Sequence, residues 1–301
     1  MTNTASGALA KPFKTHHNAL DLDIYLRIAP ETYLKECIFG GFEKVFEVGR
    51  CFRNEGMDPS HLQDFTMCEH YAAYWNFEDN MKFTEDLFSY LLNKLFGTLK
   101  IDIKDRQGKI HKVDFKPPWP KVSFRDLIKK DCGIDIDKFD LAEKLRAEIK
   151  KKKIPVEDMA KLERGNLIDS LYKTVSREKI IQPTFLINHP IDLSPLARRN
   201  DKNPEIVDRF QLIVNTWEIV NAYSELVDPL DQKERFDKQS KAKEKGDIEA
   251  HGKDDEYVKA LEHGAPPISG WGMGIDRIVT LLTQQDNLRD VVLFPLLRPD
   301  K

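Results

Sequence analysis

The 301-residue sequence is poor in cysteine and in uninterrupted apolar runs, and each shortage removes a class of protein. Its four cysteines, Cys37, Cys51, Cys68 and Cys132, stand 14, 17 and 64 positions apart. No C-x-x-C pair or His-rich partner outlines a zinc site, so they read as buried or idle thiols. No stretch approaches the roughly 18 to 20 apolar residues of a membrane span. The opening, MTNTASGALAKPFK, also lacks the charged then apolar layout of a signal peptide. A cytoplasmic chain with no membrane partner is the expectation. Charge of one sign is lacking too: 47 basic against 50 acidic residues leave a net of −3. A nucleic-acid partner would therefore have to meet a local basic surface. The 41% hydrophobic content suffices for one large domain, or one domain carrying an insertion.

Periodicity supplies the elements that are present. LDIYLRI (22 to 28) alternates as a half-buried strand, and Pro30 opens a short helix stopped by Gly40 and Gly41. EKVFEVGRCF (43 to 52) and DFTMCEHYAAYW (64 to 75) read as two antiparallel strands joined by a long polar tip. Asn76 and Asp79 cap a helix over 77 to 96, with Met81, Leu87, Leu91 and Leu95 as its apolar stripe. Short strands follow near 99 to 104 and 110 to 115. Residues 121 to 180 read as a charged helical insertion, whose KLRAEIKKKK run fits either a solvated face or an RNA contact. Strands resume at 183 to 188, 208 to 214 and 217 to 226, and helices at about 230 to 245 and 254 to 263. The stretch GWGMGIDRIVTLLTQQ then passes from glycines into a helix with Ile275, Ile278, Val279 and Leu282 on its buried side. The division expected is 1 to 120, an insertion at 121 to 180, and 181 to 301.

Three stretches carry chemistry. In FRNEGMDPSHLQDFTMCEHY, Arg53 and Glu55 share a strand face, and so do Phe65, Met67, Glu69 and Tyr71. If the two faces coincide, an arginine, acids, a phenol and an aromatic ring converge; surface ion pairing of Arg53 with Glu55 or Glu69 is the plainer reading. In EIVNAYSEL, Asn221, Tyr223 and Glu225 alternate onto one face, which Glu218 joins if a bulge intervenes. Two acids and an amide suit an ammonium group or a cation, and equally an ordinary polar strand. In GWGMGIDR, Gly270, Gly272 and Gly274 allow close approach of a ligand, with Arg277 in the following helix turn. This spacing is neither a Walker loop nor a dinucleotide fingerprint, so any phosphate here would be held by arginines.

At these residues the sequence resembles the class II aminoacyl-tRNA synthetases, and most closely the lysyl-tRNA synthetases. FRNEG with the following His, Phe and Glu resembles motif 2 of that class, and GWGMGIDR its motif 3. AKPFKTHHNALDLDIYLRIAPE, HPIDLSPLARRN and EIVNAYSELVDP look lysyl-specific. The resemblance runs in order from about residue 6 to 298 and is weakest over 121 to 180. It implies an α+β fold: an antiparallel sheet flanked by helices, with a helical insertion. It also implies activation of L-lysine by ATP with Mg²⁺, transfer to tRNA(Lys), and a homodimer.

Residue by residue, it implies Arg53 on the ATP α-phosphate and the lysine carboxylate, Glu55 on the adenine amino group, and His61 at the terminal phosphates. Phe65 would stack on adenine, and Arg277 would clamp the γ-phosphate from the opposite side. Glu31 and the backbone near Gly7 would take the lysine α-amino group and Asn221 its carboxylate. Tyr71 and Glu225 would recognise the ε-ammonium, with Glu69, Tyr223 and Gly272 completing the lysine pocket. Gln211 and Glu218 match the metal-binding acids of the family, and Gln211 departs from that pattern by carrying no charge. The family's N-terminal anticodon-binding domain and motif 1 find no match here, which leaves the expectation of a fragment or a truncated paralogue. Two further expectations stand beside the synthetase: a ligase that modifies a lysine of an elongation factor, and a non-catalytic ATP- or lysine-binding module that needs a partner chain.

Overall fold

The computed structural model of the chain describes residues 1, 2, 7, 10 to 244 and 254 to 297. In chain order the strands and helices are β1 (Lys14–His17), β2 (Leu22–Tyr25), α1 (Glu31–Phe39), β3 (Lys44–Phe52), β4 (Asp64–Ala73), α2 (Phe77–Phe96), β5 (Lys100–Lys104), β6 (Ile110–Asp114), β7 (Lys121–Ser123), α3 (Phe124–Cys132), α4 (Ala142–Lys151), α5 (Arg164–Val175), β8 (Thr184–Pro190), β9 (Ile206–Val214), β10 (Trp217–Ser224), α6 (Pro229–Glu244), α7 (Asp255–Glu262), β11 (Ile268–Gly274) and α8 (Ile275–Leu282). The expected helix end at 245 and the end of the resemblance at 298 lie outside the described residues. The fold class is α+β. None of the helices in the described residues is long and apolar enough to cross a membrane.

The elements form two compact units, Met1–Asn76 with Ser224–Lys301, and Phe77–Tyr223. In the first, β3, β4 and β11 pair antiparallel, with Val45, Tyr71 and Gly270 on one rung, Glu47, Glu69 and Gly272 on the next, and Gly49, Met67 and Gly274 on a third. Cross-strand partners share a face, so Met67, Glu69 and Tyr71 look out from the same side as the three glycines of β11. Alternation puts Phe65 on this side as well. The opposite side is filled, with the His70 ring stacked on Trp271 at 5.1 Å. Helix α1 begins after Pro30 and buries Leu34 and Ile38 against Tyr71, Ala73 and Ile268. The strand expected over 22 to 28 stops at Tyr25 and pairs with β1. The KTHH sequence of β1 is largely exposed and carries no apolar alternation to announce it.

In the second unit β7, β8, β9 and β10 are consecutive neighbours. The pairing of β7 with β8 is parallel, while β8 with β9 and β9 with β10 are antiparallel. Helices α3, α4 and α5 share one core with β8 and β9: Phe124, Ile128, Leu145, Ile149, Leu167 and Leu171 pack with Leu186 and Ile213. Helix α2 has the expected ends, yet its buried line runs through Met81, Thr84, Phe88 and Leu92, with Leu95 61% exposed. The reason is an aromatic nest: Phe88 meets Phe115 at 6.0 Å and Trp119 at 5.7 Å, and large rings bury more area than the Leu87, Leu91, Leu95 stripe would. Helix α8 differs similarly. Val279 is 38% exposed and Thr280 is buried, because the Thr280 hydroxyl donates to the Asp276 carbonyl at 2.7 Å and enters the interior satisfied. The four thiols are free: Cys51 is buried, Cys68 and Cys132 are half-buried, and Cys37 is exposed.

Candidate active site

The tip between β3 and β4 is braced by its own backbone and by one aspartate. The Arg53 N–H donates to the Gln63 carbonyl at 2.8 Å, and the Asn54 N–H to the Lys11 carbonyl at 2.7 Å. Asp58 accepts from the Ser60 N–H at 2.6 Å and the Ser60 hydroxyl at 2.7 Å, and its other oxygen stands 2.7 Å from His61 Nδ1. Partial burial opposes the charge of Asp58, but the contacts from Ser60 and His61 outweigh it and hold the carboxyl below its usual range. His61 is thereby aimed by a carboxylate. Glu55 lies in the same tip, half-buried, and makes no ion pair or hydrogen bond among the described residues.

Arg53 leaves the tip and lies over the glycine-lined face. Its guanidinium carbon is 4.9 Å from the Phe65 ring centroid, Nη2 is 4.0 Å from Met67 Sδ, and Nε donates to the Ile28 carbonyl at 3.4 Å. Arg277 reaches the same rung from α8. A methyl placed on Gly274, the cross-strand partner of Met67, would lie 3.6 Å from Arg277 Cδ. The start of α8 is fixed to β4 by Asp276, whose Oδ2 accepts from the Thr66 N–H at 2.6 Å. An arginine, an aromatic face and a helix N-terminus carrying a second arginine therefore gather at one end of the open face, an arrangement suited to a phosphorylated planar ring.

The other end is acidic and dry. Glu31, Glu69 and Glu225 are 5%, 4% and 2% exposed. The Tyr71 hydroxyl donates to Glu69 Oε2 at 3.0 Å. Gly7 closes this end, since a methyl on it would lie 3.1 Å from Glu31 Cβ. Glu225 accepts no hydrogen bond among the described residues, although Lys35 Nζ stands 2.5 Å from its Oε2 as an ion pair. Lys35 is also 2.5 Å from Glu31 Oε1. Burial, aided by the charge of Glu31, pushes the Glu69 carboxyl up to about 8, against the pull of Tyr71, Arg53 and Lys35. Burial likewise raises Glu225 well above the usual range despite Lys35. Three buried acids with this little cationic company call for a ligand bearing positive charge.

A family model for tRNA synthetases class II (D, K and N) matches residues 1 to 298. The chain belongs to that family. Proteins named lysine--tRNA ligase are similar to it. That of Aquifex aeolicus is 49% identical over 299 residues, covering 99% of this chain and 49% of the relative. That of Syntrophomonas wolfei is 48% identical over 300 residues, covering 97% and 58%. That of Thermosipho africanus is 48% identical over 293 residues, covering 97% and 56%. The chain thus spans about half to three-fifths of the length of these relatives.

The remaining residues expected in a class II synthetase site lie in the second unit, on β9 and β10. Gln211 pairs with Asn221, and Glu218 with Ile213 two positions further along β9. The register shifts between Glu218 and Val220, so this bulge puts Glu218 on the face of Gln211, Asn221 and Tyr223. Asn221 Oδ1 accepts from Arg209 Nε at 2.9 Å, which leaves the amide Nδ2 as a donor. Gln211 Oε1 is turned to His189 Nε2 at 3.1 Å. Of the two residues implied for Mg²⁺, Glu218 offers a carboxylate on this face and Gln211 an amide oxygen already engaged by His189. Sequence reasoning missed Arg209 and Lys35. The i, i+4 spacing of Glu31 and Lys35 is one that surface helices also carry, and no local signal says that this face of α1 is buried.

Proposed function

We propose that the chain activates L-lysine with ATP. A lysine carboxylate oxygen bonds to the α-phosphorus, the bond from that phosphorus to its bridging oxygen breaks, and pyrophosphate leaves with the electron pair, giving lysyl-adenylate. No general base is needed, because the nucleophile is already ionised. Arg53 neutralises the α-phosphate and the incoming carboxylate, Phe65 stacks on adenine, Glu55 accepts from its amino group, and His61 and Arg277 hold the outer phosphates; catalysis here is alignment and charge compensation. Glu218 would hold Mg²⁺, and the ion would supply positive charge towards phosphate oxygens when bound. Glu31 and Gly7 receive the α-ammonium. Tyr71 and Glu225 receive the ε-ammonium, with Glu69 and Gly272 lining the pocket.

The observation that carries this reading is the set of buried acids beside Tyr71. A substrate lacking a cationic tip would forgo the contact with Tyr71 and Glu225, so it is expected to be activated more slowly than lysine. Transfer of lysine to tRNA(Lys), a homodimer and cytoplasmic residence belong to the same reading. The test is ATP–pyrophosphate exchange with lysine, with β-lysine and with no amino acid. Exchange dependent on lysine supports the reading. Preference for β-lysine would replace it with the protein-modifying ligase, and ATP binding without exchange with the non-catalytic module. Solution mass and tRNA charging test the partners.

A further inference from the structure

Lys35 is the buried charge that the proposed reaction leaves unused. It sits one turn after Glu31 on α1, is 0% exposed, and has its Nζ 2.5 Å from both Glu31 Oε1 and Glu225 Oε2. The same nitrogen lies 5.7 Å from the Tyr71 ring centroid and 5.9 Å from that of Tyr257 on α7. Burial alone would discharge such a group, but the carboxylates of Glu225 and Glu31 outweigh burial and hold it protonated. A lysine substrate brings two ammonium groups, and its carboxylate is assigned to Arg53. Against these two stand three acids, Glu31, Glu69 and Glu225. Three acids alone would leave one buried carboxylate without a cation when lysine is bound. Lys35 removes that surplus.

We propose that Lys35 is a specificity-determining counter-ion built into the pocket: it is the standing cation for one of three carboxylates, so that the two ammonium groups of a ligand are enough to balance all three once binding has ionised them. This rests on the lysine-activating reading and explains how that site counts charge. It is a positioning residue, since it acts through Glu31 and Glu225. The groups that bear on this balance are Glu31 and Lys35 from α1, Glu69 and Tyr71 from β4, Glu225 after β10, Tyr257 from α7, and Cys51 and Arg53 from β3 and its tip.

The charge count makes a prediction that simple packing does not. K35M leaves three acids for two ammonium groups, and E69Q leaves two acids with Lys35 still present; each disturbs the balance. The double variant K35M/E69Q restores it, with Glu31 and Glu225 facing the two ammonium groups. In ATP–pyrophosphate exchange the KM for lysine is expected to rise at least about tenfold in each single variant, one pKa unit or more of lost pairing, with the KM for ATP unchanged. It falls back towards the wild-type value in the double variant. K35R, which keeps the charge, is expected to stay close to wild type. If K35M folds poorly, thermal midpoints are compared instead, and adding E31Q to K35M is expected to raise the midpoint because it removes a buried acid that has lost its cation. A lysine KM unchanged by K35M, or losses that simply add in the double variant, would overturn the assignment of Lys35. Wild-type protein without lysine-dependent exchange would overturn the functional reading itself, so the two failures are distinguishable.

Discussion

At Gly270 an added methyl would strike the Glu225 carboxylate and the Tyr71 ring together. G270A is therefore expected to raise the KM for lysine about tenfold to a hundredfold, the effect of an overpacked site costing about 1 to 3 kcal/mol. The KM for ATP should stay within about twofold of the wild-type value, as steady-state exchange would show; a change confined to ATP would contradict the assignment of this end of the face. Gln211 offers a second residue-scale expectation. Q211E adds the acid that the family's pattern carries, on the face shared with Glu218. The Mg²⁺ concentration for half-maximal exchange is expected to fall, because a hard divalent ion gains from a second carboxylate. An unchanged Mg²⁺ requirement would mean that His189 keeps the new side chain to itself.

Elements place these residues where single side chains cannot. Helix α8 is joined to β4 by the bond from the Thr66 N–H to Asp276, a charge-assisted contact of 2.6 Å. D276A removes it and leaves that N–H unpartnered, at a cost of about 1 to 3 kcal/mol. Arg277, the next residue, would lose its anchor, so the KM for ATP should rise while that for lysine holds. Exchange kinetics of the variant check this split. The hairpin of β3 and β4 was readable because period-two alternation survives a polar tip. The buried lines of α2 and α8 were not, since helical periodicity tolerates a one-residue rotation and the aromatic nest around Phe88 is assembled from distant sequence.

For the whole chain, the acids set opposing limits on stability. Glu69 has its folded value raised from 4.5 to about 8, so the folded protein holds this proton more tightly than the unfolded chain does. Its contribution is full below 4.5 and is lost as the pH climbs to about 8, by about 1.4 kcal/mol per pH unit between them. Asp135 works in reverse. The Arg125 guanidinium holds its carboxyl well below the usual range, and that contribution disappears as the medium becomes acid enough to protonate it. The thermal midpoint of the ligand-free protein is expected to fall between pH 6 and pH 8, with a shallower slope in E69Q and in saturating lysine. Calorimetry across that range checks it, and an equal slope in E69Q would exclude Glu69 as the cause.

By itself the sequence determined most of the strands and helices, because alternation and helical spacing are local properties, while the α+β class and the two motifs at the phosphate end were read from its resemblance to a family. Tertiary structure decided which of those residues lose water. Glu31 and Lys35 look like a surface pair until α1 is laid on the sheet, and Glu69 differs from any other strand acid only by the covering that raises its proton affinity. Burial is a property of what packs on top, contributed by residues far along the chain, and so the charge count of the pocket could be read only after folding.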